Sequence, residues 1–221
     1  GVVNVVPFKE EWSFEPPSIT VVAENHEVDF VGFQHLYFTD FTTDVSTHWY
    51  LNGPEILPTG MSFDGGWGAY RWAQLTGEAA IQVSDVIIEV EVADIRTGNE
   101  NAFVEIAGRT DDPLEAGERT SGVALRVYGK GSTNARMVLY EDGVEIGSVQ
   151  TELFHWQHET IFVLRLMLYG NLAIGTVTRA SDGASWEVRG TLTSTLGPGN
   201  VRLQGRAYNE GPLITKVEVK R

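Results

Sequence analysis

Three stretches of this 221-residue chain place arginine, tyrosine and glutamate at alternate positions, where their side chains could recognise a ligand. Residues 102–109, 122–128 and 135–140 alternate apolar with polar residues, which is typical of strands whose successive side chains point to opposite faces. With the apolar residues directed inward, the other face of the predicted sheet carries Glu105, Arg109, Arg126, Tyr128, Arg136 and Tyr140.

This predicted face has two interpretations, and both stay open. A guanidinium pairs readily with a carboxylate, so the face could form a groove for an acidic or hydroxyl-rich ligand, or for a partner's carboxylates. Alternatively, Glu105 pairs with arginines on neighbouring strands of a solvated sheet. Because both interpretations place Arg126 at the surface, we expect Arg126→Ala to change the free energy of unfolding by no more than about 0.5 kcal/mol.

Aromatic side chains supply a second set of candidate ligand contacts. Sugar sites commonly combine an exposed aromatic ring with a few convergent polar groups. The candidates for sugar stacking are Trp67, Tyr70 and Trp72. Because tryptophan is on average highly buried, we favour core or edge packing over ligand stacking for each tryptophan.

Acidic residues in predicted loops are the candidate metal ligands. Calcium binds clustered oxygen atoms, and the candidates for such a cluster are Asp40, Asp44, Asp111 and Asp112. We favour solvated loop acids over a calcium site. His155 and His158 lie in a predicted loop and lack the helical His-Glu-x-x-His pattern of zinc enzymes. The sequence therefore predicts no bound metal and no cofactor.

Net charge and hydropathy argue against two classes of partner. The chain has 16 lysines and arginines against 30 acidic residues, for a formal net charge of −14. A field of that sign repels phosphate backbones, so we expect no nucleic-acid binding. No apolar run approaches the ~20 residues that span a bilayer, so we expect no membrane insertion. The chain has no cysteine, which excludes disulfides.

The elements that position these residues are predicted to be β-strands. Period-2 alternation dominates the chain, and turn pairs such as Asp142-Gly143 and Gly170-Asn171 separate the alternating runs. We count about 13 strands at this spacing, which is typical of an all-β sandwich or barrel. We predict an antiparallel two-sheet sandwich.

The order of the segments resembles a known superfamily. The chain reads LYFTDF at 36–41, HW at 48–49, FDGGW at 63–67, HETIFVLRL at 158–166 and DGASW at 182–186. This succession resembles the concanavalin A-like lectin/glucanase superfamily, including laminin-G-like domains, over residues 35–221. The resemblance implies a jelly roll of two antiparallel sheets, one of them concave and often carrying the ligand.

The enzymatic branch of that superfamily includes family 16 glucanases, which carry the pattern Glu-x-Asp-x-x-Glu on one strand. The lookalike at 89–94 has its acids in a different order and lies one strand too early. The strand that matches the catalytic one is 122–128, which presents to the groove Ala124, Arg126 and Tyr128. A retaining glycosidase needs two carboxyls ~5 Å apart. We therefore expect a non-enzymatic protein and interpret Glu89 and Glu91 as a solvated outer strand face.

Residues 1–34 form a predicted extended arm or accessory strands ahead of the sandwich. Pro7, Pro16 and Pro17 lack amide donors and suit edge or extended segments. The valines and aromatic residues around them are too apolar for a free tail. The arm could dock on a neighbouring subunit, which we favour, or cap the edge of its own sandwich.

Docking of the arm predicts a homo-oligomer or larger assembly. The favoured function is therefore that of a structural protein, such as a virion surface or tail component or an extracellular filament subunit. Such a protein would be extracellular or at a virion surface. The alternative is a lectin-like module that binds carbohydrate, and a family 16-like hydrolase ranks third.

Overall fold

The computed structural model describes residues 3–9, 12–15, 19–21, 31–64, 68, 70–93, 102–110, 121–129, 135–151, 160–193, 197–206 and 211–221. Within these ranges the chain forms strands and two short 3₁₀ turns, Ser46–His48 and Gly77–Ala79. The predicted all-β fold is confirmed. No helix in the described part of the chain is long and apolar enough to cross a membrane.

Most strands of the first half of the chain have three to six residues, and two have eight or nine. They are β1 (Val3–Val5), β2 (Trp12–Glu15), β3 (Ile19–Val21), β4 (Val31–Thr39), β5 (Trp49–Asn52), β6 (Glu55–Leu57), β7 (Gly60–Ser62), β8 (Tyr70–Leu75) and β9 (Val86–Ala93). Three-residue strands such as β6 and β7 carry too little alternation to be recognised from sequence, so the expected strand count falls short of the eighteen in the described ranges.

The strands of the second half are longer, and most of them join as hairpins. They are β10 (Ala102–Thr110), β11 (Val123–Gly129), β12 (Ala135–Glu141), β13 (Val144–Thr151), β14 (Phe162–Tyr169), β15 (Leu172–Arg179), β16 (Ser185–Thr191), β17 (Asn200–Arg206) and β18 (Leu213–Lys220). The Asp142-Gly143 pair closes the β12–β13 hairpin with both residues at positive φ, as such turns require.

Two antiparallel sheets form the predicted sandwich. The seven-stranded sheet has the order β13-β12-β11-β10-β17-β8-β5. The nine-stranded sheet has the order β16-β15-β14-β9-β18-β4-β2, with β7 pairing to β18 and β6 to β7. In each sheet one of the last two strands, β17 or β18, lies between strands that come much earlier in the sequence.

The hydrophobic core lies between the sheets and consists of the inward residues of the alternating strands. In β14, Phe162, Leu164 and Leu166 are buried in the core, whereas the residues between them are half-buried. Leu125 and Val127 of β11 belong to the same core. Burying each such side chain contributes about 1.5–3 kcal/mol. A one-residue slip would lose that burial along a whole strand, so the core fixes which residues face outward.

The described part of the N-terminal arm pairs with the same chain. β2 extends the nine-stranded sheet by pairing with β4, with Trp12 opposite Gln34 and Glu15 opposite Val31. β1 pairs with β3. Because β4 begins at Val31, the predicted boundary between residues 34 and 35 falls inside a strand.

Candidate functional site

The centre of the site is the outer face of β10, β11 and β12. Glu105 is the cross-strand neighbour of Arg126, Tyr128 of Arg136, and Ala124 of Tyr140. The intervening residues of these strands enter the core. The register therefore brings together five of the six side chains that the sequence analysis assigned to one face.

The same face continues onto the other half of the seven-stranded sheet. Arg202 of β17 lies opposite Gln74 of β8, and Gln204 lies opposite Trp72. Gln74 in turn lies opposite Tyr50 of β5. We call this surface the polar face and define it by its side chains: Tyr50, Tyr70, Trp72, Gln74, Phe103, Glu105, Arg126, Tyr128, Arg136, Tyr140, Arg202, Gln204 and Arg206.

The centre of the polar face is buried, although it lies on the side of the sheet away from the core. Glu105 is 0% exposed, Arg126 5% and Arg202 4%. The rim is more open, since Arg136 is exposed and Tyr50 is 52% exposed. The expectation that Arg126 is a surface residue is therefore wrong, and the expectation that Arg126→Ala leaves stability unchanged loses its premise.

A buried ion pair occupies the middle of the polar face. Arg126 Nε donates to Glu105 Oε2 at 2.6 Å, and the guanidinium lies 4.1 Å from the ring centre of Phe103. Arg126 Nη1 also donates to the Tyr128 hydroxyl, which lies 3.1 Å from that of Tyr140. Burial alone would lower the pKa of Arg126, but the charge of Glu105 and the contact with Tyr128 outweigh it and raise that pKa. Cross-strand pairing of Glu105 with an arginine is thus present, but in a dry environment.

A second arginine lies close to this pair without sharing its contacts. Burial lowers the pKa of Arg202; the nearby Glu105 opposes that effect and Arg126 adds to it. Among the described residues, Nε and Nη2 of Arg202 have no hydrogen-bond partner. The same holds for Nε1 of Trp72 and Oε1 of Gln74. Buried polar groups are nearly always paired, so four such atoms on two adjacent strands call for a further partner, such as a bound water or ligand.

Aromatic rings line the β5–β8 side of the polar face. The Tyr50 and Trp72 rings stack with centroids 5.4 Å apart, and Trp72 is buried. The Tyr70 ring contacts Phe103 and lies 4.7 Å from the guanidinium of Arg206. Tyr50 is therefore the most open ring of the three, and Tyr70 is half-buried. Trp67, the remaining stacking candidate, lies outside the described residues.

Arg109 does not share the polar face, which corrects the sequence prediction. The β10–β17 register shifts between Ala107 and Thr110, and Arg109 has a φ of 55°, so the alternation breaks at this point. Its Nε donates to the Ser84 carbonyl and its Nη2 to the Gly170 carbonyl. Arg109 therefore ties β10 to turns that flank strands of the other sheet.

The calcium candidates do not assemble a site within the described ranges. Asp40 Oδ1 accepts hydrogen bonds from the Thr42 amide and hydroxyl, and Asp44 Oδ1 accepts one from the Ser46 amide. These bonds lower the pKa of both exposed carboxyls. No group of three or more His, Cys, Asp or Glu side chains able to hold a metal occurs among the residues described. Asp111 and Asp112 lie outside them.

Glu89 and Glu91 lie on the nine-stranded sheet, away from the polar face. Both are half-buried outward residues of β9, opposite β14 and β18. Glu91 Oε1 accepts a hydrogen bond from the Thr215 hydroxyl at 2.8 Å. Sheet membership therefore separates these carboxylates from Glu105, so they cannot form a catalytic pair with it.

Arg202 and Gln204 were not predicted as site residues because the strand that carries them, β17, was not predicted. The signal was present: Val201 and Leu203 alternate with Arg202 and Gln204, and the two apolar residues enter the core. Placing Arg202 beside Gln74 further required the non-local pairing of β17 with β8.

Comparison with known proteins identifies the fold. Neither a protein-family model nor a curated protein sequence matches the chain. The metal-free exoplasmic/lumenal domain of VIP36 matches with a TM-score of 0.63 and 7% identity, over 85% of this chain and 92% of that one. Lectin II from Ulex europaeus matches with a TM-score of 0.61 and 11% identity, over 83% and 96%. The legume lectin-like domain from Entamoeba histolytica matches with a TM-score of 0.59 and 8% identity, over 79% and 90%.

These similarities establish a concanavalin A-like lectin fold, as the order of segments predicted. Two of these three structures are named as a lectin or a lectin-like domain. The similarities lend no support to the virion, tail or filament role that was favoured from the sequence.

Proposed function

We propose that this protein is a non-enzymatic, lectin-like module that binds carbohydrate on the polar face. The observation that carries the proposal is the set of buried, unpaired polar atoms there. Trp72 Nε1 can donate a hydrogen bond and Gln74 Oε1 can accept one, as a sugar hydroxyl group requires. Tyr50 adds a partly exposed ring beside them, and an aromatic ring next to convergent polar groups suits a pyranose.

The comparisons support this proposal at the level of the fold. VIP36 has been solved with Ca²⁺ and Man3GlcNAc, and the Ulex europaeus lectin with galactose. Fold alone does not specify function, so the proposal depends on the side chains of the polar face. The lumenal and exoplasmic location of the VIP36 domain also favours a site of action outside the cytoplasm.

The absence of an enzymatic activity is part of the same proposal. Glycosidases use two carboxyl groups that flank the scissile bond. Within the polar face, Glu105 is the single carboxylate, and it is fully buried in an ion pair with Arg126. A carboxylate held in this way serves neither as a solvent-accessible nucleophile nor as a proton donor.

The test is glycan binding by matched variants. We expect the wild-type chain to bind at least one glycan on an array of mannose-, galactose- and uronate-containing oligosaccharides. Gln74→Leu should weaken that binding at least tenfold, and Gln82→Leu, at an exposed position outside the polar face, should leave it unchanged.

Thermal unfolding of the same variants separates a functional effect from a structural one. Because Gln74 Oε1 has no partner to lose, replacing this buried side chain by an apolar one of similar size should not lower the melting temperature. Absence of binding by the wild-type chain to every glycan tested would refute the proposed function.

A further inference from the structure

We propose that the carbohydrate bound on the polar face is acidic, and that Arg202 receives the anionic group of one sugar residue. This inference rests on the function proposed above and adds the chemical class of the ligand. It starts from the buried charges at the centre of the sheet and from the hydrogen-bonding geometry of one guanidinium.

The charges at the centre of the polar face do not balance. Arg126 and Glu105 neutralise each other across 2.6 Å, which leaves the positive charge of Arg202 unmatched. The Arg202 side chain is almost wholly buried, and burial disfavours its charged form. Arginine nevertheless stays protonated in proteins, and a buried charge is costly unless a counter-charge accompanies it. An anion at this position would supply that counter-charge.

The unpaired atoms of Arg202 indicate the shape of the missing group. Nε and Nη2 lie along one edge of the planar guanidinium and point two N–H groups in parallel. A group that shares its negative charge between two or more oxygen atoms, such as a carboxylate or a sulfate, binds this edge with two hydrogen bonds. A single neutral hydroxyl group can satisfy one of the two nitrogens but not both.

The neighbours of Arg202 favour a sugar over an acidic peptide. Gln74 lies directly opposite Arg202, and Trp72 is two residues before Gln74 on the same face of β8. They place an acceptor and a donor beside the anion site, which fits the hydroxyl groups next to the acidic group of one sugar residue. The chain also carries a net charge of −14, which repels a densely charged acidic partner more than a sugar with one negative charge.

The experiment uses isothermal titration calorimetry to compare an acidic probe with a neutral partner that lacks its charged group. The pairs are 3′-sialyllactose against its methyl ester, trigalacturonic acid against its methyl ester, and lactose 3′-sulfate against lactose. The first two pairs test a carboxylate and the third tests a sulfate. We expect the wild-type chain to bind the acidic member of at least one pair at least tenfold more tightly than its neutral partner.

Variants at position 202 assign this preference to the guanidinium. Arg202→Met should abolish the acidic preference. Arg202→Lys keeps the charge but loses the two parallel donors, and should lose most of the preference; it decides the question if Arg202→Met does not fold. Arg189→Met, at an exposed arginine of β16 in the other sheet, is the matched control and should retain the preference.

The outcomes distinguish this inference from the proposed function. Equal binding of acidic and neutral partners by the wild-type chain, or an acidic preference that survives in both Arg202 variants, overturns the inference and leaves carbohydrate binding standing. No binding of any glycan overturns the proposed function, and the inference with it.

Discussion

The buried Glu105–Arg126 pair makes Arg126 one of the most sensitive positions in the chain. Arg126→Met removes the guanidinium while keeping an apolar side chain over the Phe103 ring. Glu105 then remains fully buried without its 2.6 Å partner. Breaking a buried ion pair by removing one member costs about 3–5 kcal/mol, because the remaining charge is left uncompensated.

Arg202 limits the size of that loss. Its guanidinium lies close enough to Glu105 for the two charges to attract each other. Arg202 can therefore compensate part of the charge of Glu105 in the variant. We therefore expect the lower end of the range, about 3 kcal/mol, for Arg126→Met. At about 2–4 °C per kcal/mol for a chain of this size, the melting temperature should fall by roughly 6–12 °C.

A double-mutant cycle measures this effect by urea denaturation. Glu105→Leu and the double variant Arg126→Met/Glu105→Leu complete the cycle, and the double variant should be more stable than Arg126→Met because it buries no carboxylate. The control is Arg189→Met, whose ion pair with Glu187 is exposed and should contribute less than about 1 kcal/mol. A loss below about 1 kcal/mol for Arg126→Met, or a double variant no more stable than it, would refute the reasoning.

Three further outcomes are expected. Burial raises the pKa of Tyr37 to about 12. Above pH 10 this tyrosine therefore ionises in the unfolded chain before it ionises in the folded one. Its ionisation should lower the free energy of unfolding by about 1.4 kcal/mol between pH 8 and pH 11. Tyr37→Phe should remove that pH-dependent loss in urea titrations, but lose about 1–3 kcal/mol at neutral pH by leaving Trp49 Nε1 unpaired; an unchanged pH profile contradicts the assignment. Arg109→Met should destabilise by about 2–4 kcal/mol by freeing two carbonyl groups, and a melting temperature within 2 °C of wild type would be inconsistent with that role. Deleting residues 1–30 uncovers the edge of β4, so light scattering should show concentration-dependent association of the truncated chain; an oligomeric full-length chain that becomes monomeric on truncation would instead support docking in trans.

Alternation along strands predicted much of the fold and part of the site. The period-2 pattern placed Glu105, Arg126 and Tyr128 on one face because burial of Leu125 and Val127 in the core determines the parity of the whole strand. It also predicted the sandwich, since many short amphipathic strands can bury their apolar faces only against another sheet.

The errors arose where local pattern does not control geometry. Arg109 does not lie on the polar face because a bulge interrupts β10. This bulge depends on close packing against Gly122, where a Cβ would lie 2.5 Å from the Arg109 carbonyl oxygen. The burial of Arg126 and the neighbours of Arg202 depend on which strands pair across the sheet. That pairing joins residues more than a hundred positions apart, as between β8 and β17, and no local period encodes it.

The positions of β17 and β18 have a consequence for how the chain folds during synthesis. β17 lies between β10 and β8, and β18 lies between β9 and β4. Among the described strands, the early ones therefore join the later ones through these last two. The β10–β13 and β14–β16 meanders can form from local contacts as they emerge from the ribosome. β5 and β8 must therefore wait for β17, and β4 for β18, before they join the other strands of their sheets. A ribosome paused before β17 and β18 have been synthesised should therefore hold an incomplete sandwich that is open to chaperone binding and aggregation.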